Sequence, residues 1–387
     1  MSSAGLGRAL LGMVVAAGAL LAPGAAQAYP QWQFSSGTGR CAQCHYSPAG
    51  GGIVTGYARD AVGDELSTFG GDGSFAHGAV DLPKSVALQF DGRYAALLND
   101  VGEERGTKQL IFPMQADLSF RFLLSKDISF VGTVGYRGSA RVGDEPTGAG
   151  AAQPDGSSRF ISREHYLMWR PAAMGTYVRA GRYFAPFGLR LAEHNSYVRR
   201  DLGYDLLEET YNLSVGWVQS DWELHLTGFV PDYLRHIGGD EVGGAALYEV
   251  HVGDASALGL QGRVGNKTDR NRYTGGGFAK TYVAAVKALF QTELNLVHSI
   301  FPGGASTESF AGFASITFFP FKGFWLSPFA ERLQTSISVR DSATNAAGVQ
   351  ANWFPYPHFE LTLQGRVQVP AGTATAKTGL FFIHYYL

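Results

Sequence analysis

Phe359-Glu360-Leu361-Thr362-Leu363-Gln364-Gly365-Arg366-Val367-Gln368-Val369 sets Phe359, Leu361, Leu363, Val367 and Val369 on one face of an extended chain and Glu360, Thr362, Gln364, Arg366 and Gln368 on the other. Side chains alternate across a strand with period two, so this stretch is a strand with one oily and one polar face. The pattern returns in Met114–Phe122, where Met114, Ala116, Leu118, Phe120 and Phe122 oppose Gln115, Asp117, Ser119 and Arg121. It returns again in Leu289–Val297, where Gln291, Glu293 and Asn295 share a face. From about Ser85 to the C-terminus such segments follow one another.

The connections decide between a soluble sandwich and a closed membrane barrel. Short turns at Ser125–Asp127, Pro171–Gly175, Ser220–Asp221, Gly253–Ala255, Pro320–Gly323 and Pro355–His358 alternate with long loops at Leu98–Gln109, Gly143–Ser158, Ala185–Thr210, Pro231–Gly244 and Ser299–Glu308. One further turn, Ala284–Lys287, has to interrupt an apolar run. Tight turns at one end and roomy loops at the other are the pattern of an up-and-down outer-membrane barrel. Residues 85–387 divide into about 19 per strand and connection if there are about sixteen strands, enough for spanning strands of about ten residues. Phe381, Ile383, Tyr385 and Leu387 then alternate up to the last residue, similar to the C-terminal signal of bacterial outer-membrane proteins, which usually ends in Phe. The expected fold is all-β: a transmembrane antiparallel β-barrel of about 16 strands over 85–387, embedded in outer-membrane lipid.

Composition agrees. With 51 Gly, 26 Phe, 18 Tyr and 6 Trp in 387 residues, the chain is unsuited to long helices, and 45% hydrophobic residues exclude disorder. A net charge of −2 offers no basic face to nucleic acid. Arg8, the apolar run Ala9–Leu21 and Ala26-Gln27-Ala28 read as a cleavable signal peptide over 1–28, with the mature chain starting at Tyr29.

Between that signal and the strands, residues 29–84 hold Cys41-Ala42-Gln43-Cys44-His45, which uses both cysteines of the chain. C-x-x-C-H is the attachment pattern of haem c. Two thiols at this spacing add to the two vinyl groups of one haem, and the next imidazole is delivered to the iron. One covalent haem c is therefore expected, with His45 as proximal iron ligand. Zinc would want four Cys or His ligands and a thioredoxin-like dithiol would want a βαβ frame; neither follows. His77 is the leading candidate for the distal iron position because 29–113 contains no Met and no other His; Lys84 and an open site stand behind it, and the ordinary reading of His77 is a solvated loop residue. Trp32, Phe34, Tyr46 and Tyr57 are the aromatics expected to pack the haem or to seal the segment. A piece this short lacks a core of its own and is expected to plug the polar interior of the barrel.

An export signal, one C-x-x-C-H near the mature N-terminus and about sixteen strands together resemble the fused monohaem cytochrome c–porins of the bacterial outer membrane known from iron-oxidising bacteria. Phe34, Thr38 and Gly39 ahead of Cys41, and Gly56-Tyr57-Ala58-Arg59 after it, carry the local likeness. Gly39 stands one residue closer to Cys41 than in the iron oxidases, and Gly50-Gly51-Gly52 is unlike them. The resemblance implies electron transfer through one haem held in a porin-like barrel, between an extracellular donor or acceptor such as Fe(II) and a periplasmic cytochrome or other redox carrier. Gly181–Arg190 is also similar to a segment of phosphate-type porins preceding their third outer loop. That likeness implies that Ala185–Thr210 folds inward, with Arg190, Glu193, His194, Arg199, Arg200 and Asp201 at a constriction; a solvated surface loop is the alternative.

Three functions are open to such a chain. The first is an electron conduit, iron oxidase-like by the resemblance, and the second a solute porin with a haem-bearing plug or redox gate. The third is an exported haem enzyme, which ranks last because it needs an open iron position and a distal acid–base group where 29–84 supplies one further histidine. The long loops carry more acidic than basic residues, which favours a cationic donor at their end.

Overall fold

The computed structural model describes residues 31–35, 37, 39–100, 107–137, 160–193, 195–205, 208–233 and 239–387. The signal peptide, Thr38 and His194 lie outside the described residues. Sixteen strands run in chain order: β1 Val86–Asp100, β2 Thr107–Leu123, β3 Ile128–Arg137, β4 Phe160–Trp169, β5 Gly175–Tyr183, β6 Thr210–Val218, β7 Trp222–Val230 and β8 Val242–His251. The second half is β9 Ser256–Lys267, β10 Arg270–Val283, β11 Ala288–Ile300, β12 Ser306–Phe321, β13 Phe324–Gln334, β14 Ala343–Trp353, β15 Phe359–Pro370 and β16 Ala376–Tyr386. Each pairs antiparallel with its neighbours in sequence, and β1 pairs with β16 to close the barrel, from Asp91 opposite Tyr386 to Asp100 opposite Lys377. Closure leaves no strand without a neighbour on either side, as a wall in hydrocarbon requires.

The faces fall as the alternation dictates. In β15, Glu360, Thr362, Gln364 and Arg366 are buried in the lumen while Leu363 and Val367 are exposed on the outside. In β2, Asp117 and Ser119 point inward and Leu118 outward. Leu213, Leu260, Leu294, Leu296 and Phe381 extend the outer apolar surface around the barrel. Such a belt is costly in water and favourable in lipid. The bulge between β1 and β2, where Arg93 pairs with Gln115 and Tyr94 with Pro113, leaves Met114 as the unpaired extra residue.

Two sequence expectations need adjusting. The alternation of short and long connections is not strict, because β9 and β10 are joined at the long-loop end by Thr268 and Asp269 alone. The lumen is also not wholly polar: Leu289 and Val297 of β11 face inward, as do Phe229, Leu247, Phe278 and Phe313. They do so because other parts of the chain fold into the lumen and give them apolar partners. The doubtful turn at Ala284–Lys287 is present as a tight turn, with Lys287 in the left-handed region at φ 47°.

Candidate functional site: a cavity between the C-x-x-C-H segment and an inward loop

The segment ahead of β1 lies in the short-turn end of the lumen. Cys41–Cys44 forms one helical turn, α1, closed by His45 N–H donating to the Cys41 carbonyl at 2.9 Å. A turn puts positions i and i+3 on one face, so both thiols look the same way. The chain then reverses through Gly50, Gly51 and Gly52, all at positive φ, and pairs back, with a bridge between His45 and Val54. Thr55 caps the next helix, α2 Gly56–Ala61, by accepting from Ala58 N–H at 3.3 Å.

Contacts with inward side chains and with short turns hold the segment in place. Val54 N–H donates to Gln89, Arg179 to Ser47 Oγ at 2.7 Å, Lys280 to Gln33 at 2.8 Å, and Thr68 N–H to the Phe354 carbonyl at 2.8 Å. Arg40 and Arg59 reach the carbonyls of Ser220 and Leu88. Trp32 packs with Ala61, Leu66, Trp325 and Phe354, and Phe34 with Ala257 and Leu289.

At the other side, residues 184–193 and 195–205 cross the lumen instead of leaving it. Leu189 N–H donates to Glu293 of β11 at 2.8 Å, Tyr197 N–H to Glu331 of β13 at 2.7 Å, and Arg263 of β9 to the Leu202 carbonyl at 2.8 Å. Gln350 of β14 donates to Glu193 at 2.7 Å and Arg366 of β15 to the Asn195 carbonyl at 2.9 Å. Gly188, at φ 62°, lets the loop pass close to Glu293, whose carboxylate stands 2.5 Å from where a Cβ would be. Phe187, Leu189, Leu191, Val198, Leu202 and Tyr204 then pack on Phe229, Leu247, Phe278, Val297, Ala311 and Phe313 of the wall. Each fully buried side chain of this kind contributes about 1.5–3 kcal/mol, so the crossing is held by a dry apolar core.

Between the segment and the loop lies a cavity of about 350 Å³. Cys41, Cys44 and His45 line it on the segment side, and Phe187, Leu189, Arg190, Leu191 and Tyr204 on the loop side. Ligand cavities run about 300–1,000 Å³ and combine an apolar lining with a few placed polar groups, as here. Burial pushes both thiols up to about 12, so Cys41 and Cys44 are neutral there.

The structure thus brings Cys41, Cys44 and His45 together but places His77 apart from them. His77 is exposed, does not line the cavity and packs edge-on against His358 with ring centroids 4.6 Å apart. Lys84 is exposed as well. Two other histidines do line the cavity: His384 of β16, held by Glu360 at 2.8 Å and Asp91 at 3.2 Å, and His358 of the β14–β15 turn, whose Nε2–H donates to the Ser74 carbonyl at 3.0 Å. Burial and the neighbouring His77 push His358 down to about 4, leaving it neutral. Trp32, Phe34, Tyr46 and Tyr57 do not line the cavity; Phe184, Phe187, Tyr204 and Tyr386 do. Alternating apolar residues from Ala185 to Leu191 were the signal for this, since a solvated loop has no use for them. Of the expected constriction residues, Arg190 and Glu193 meet partners outside the loop, Ala49 and Gln350, whereas Arg199 folds back on the loop's own Leu191 and Tyr204 carbonyls and Arg200 pairs with Asp201 at 2.9 Å.

No protein-family model and no curated protein matches the chain. Solved structures match its fold. OmpT of Vibrio cholerae is similar at TM-score 0.56 and 9% identity, over 80% of this chain and 100% of that one. The anion-selective porin of Comamonas acidovorans has TM-score 0.56 and 10% identity over 78% and 99%. OprB of Pseudomonas putida has 0.57 and 10% over 84% and 99%. The fold is porin-like.

Proposed function

We infer that this chain is an outer-membrane electron-transfer protein carrying one haem c in a closed porin-like barrel. The observation that carries the reading is the meeting of both thiols of C-x-x-C-H and its histidine at one cavity, lined also by the barrel wall and by a loop that packs apolar side chains across the lumen. The donor set fits the group: Cys41 and Cys44 would hold it through thioethers, His45 would bind its iron, and the glycine run beside Cys41 keeps side chains out of the space. A haem held there supplies a one-electron couple. The chain supplies insulation: the outward belt of β-strand side chains meets lipid, and the inward loop keeps water and solutes from the cavity on the long-loop side. The partners are then an electron donor or acceptor outside the cell, with Fe(II) the first to try given the acidic loops and the family resemblance, and a periplasmic cytochrome or other redox carrier at the short-turn end.

Oriented proteoliposomes test this. Haem absorbance should change on adding a membrane-impermeant reductant from the long-loop side, and the same vesicles should retain small sugars. Reduction by ferrous iron as well assigns the donor. Free passage of sugars with no haem response overturns the conduit and leaves a porin with a haem-bearing plug.

A further inference from the structure

Seven Lys and Arg side chains line the cavity, and three of them are paired with carboxylates. Lys280 is paired with Glu249 at 2.8 Å, Arg163 with Asp117 at 2.5 Å and Arg93 with Asp91 at 3.4 Å. Arg40, Arg199, Arg59 and Arg190 line the same cavity without a carboxylate within 4 Å among the described residues. Arg199 spends its guanidinium on the Leu191 and Tyr204 carbonyls, and Arg40 has Glu223, Glu249 and Asp221 acting on it at longer range, which leaves Arg59 and Arg190. Arg190 donates to the Ala49 carbonyl and lies against Gly51, where a Cβ would stand 2.9 Å from its Nη2; Glu164 acts on it only at longer range. Arg59 donates to the Leu88 carbonyl and rests on the Phe75 ring, 5.5 Å from its centroid. A guanidinium taken out of water is costly unless it meets an anion, and both of these meet only neutral partners from the chain. Negative charge brought into the cavity beside these two would offset that cost.

Haem c brings two carboxylates, its propionates, and a guanidinium fork matches a carboxylate better than any other side chain does. We propose that Arg59 and Arg190 hold the two propionates of the haem attached at Cys41 and Cys44. The proposal rests on the haem reading above and adds to it the residues that orient the group and set its redox balance. Arg190 also ties the haem to the inward loop, so the element that seals the lumen and the element that carries the motif share one ligand. Two positive charges held at the propionates would favour the reduced, less positive state of the haem.

The test is an optical redox titration of the purified full chain in detergent, after haem staining on a denaturing gel. Arg190→Gln and Arg59→Gln should each move the reduction equilibrium tenfold or more toward ferric, about 59 mV for one electron. Arg190→Lys keeps the charge and should move it less. Arg200→Gln, at a residue that pairs with Asp201 and lies over the Tyr197 ring but does not line the cavity, should not move it. If either Gln variant fails to give a heat-modifiable barrel, the other decides. Haem-bearing Arg59→Gln and Arg190→Gln chains that titrate like the parent overturn the propionate assignment alone, whereas a parent chain without stainable haem overturns the haem reading itself.

Discussion

Gly50 is the position at which a single methyl group tests the motif most sharply. It sits at φ 79°, and a Cβ built on it stands 3.1 Å from the Cys41 Cβ and 3.2 Å from its Sγ. An L-residue held left-handed costs about 1–2 kcal/mol, and here the contact on Cys41 adds to that cost. One or two kcal/mol is a factor of about 5–30 in the population of the present geometry. Because the thioether sulfur has to meet a vinyl carbon at a fixed place, Gly50→Ala should lower haem loading by at least that factor. Gly372 is the control: at φ 74° it carries the same backbone strain, but nothing lies within 4 Å of its added Cβ. The assay is haem stain normalised to barrel protein on gels of unheated and heated samples. Gly372→Ala should load normally, and a Gly50→Ala chain that loads as well as Gly372→Ala refutes the placement of Cys41 against the glycine run.

Further outcomes follow from the same geometry. Cys41→Ala with Cys44→Ala should abolish the haem stain while the protein stays heat-modifiable, since the strands close without the segment's thiols; retained stain would sink covalent attachment. Phe187→Ala with Leu191→Ala, at 4% and 1% exposure, should cost about 2–5 kcal/mol per site and loosen the seal, giving conductance in planar bilayers where the parent gives little; equal conductance of parent and variant would show the lumen open already. His77→Ala should leave the haem spectrum unchanged because the side chain lies outside the cavity, and a switch to a high-spin, carbon monoxide-binding spectrum would return His77 to the iron.

The wall was legible in the sequence because a strand shows its two faces locally: Glu360, Thr362, Gln364 and Arg366 against Leu361, Leu363 and Val367 need no distant partner to be sorted. The C-x-x-C-H motif was legible for the same reason, its chemistry residing in five consecutive residues. Closure followed from the strand count and the alternation of turns and loops, whereas the register of the strands came from the structure alone. The surroundings of the motif were not legible. Arg190 lies far along the chain from Gly51 and meets it only because the loop after β5 turns inward, and His358 reaches the cavity from a short turn between β14 and β15. Elimination among the residues near the motif therefore singled out His77, which stands outside the cavity. The apolar lumen at Leu247, Phe278 and Phe313 likewise breaks the rule of a polar interior only because Phe187, Leu191 and Leu202 arrive to cover it. Period-two patterning records which side of the wall a residue takes; what it meets there is decided by the loop and the segment that fold into the lumen, a long-range packing that alternation along one strand does not encode.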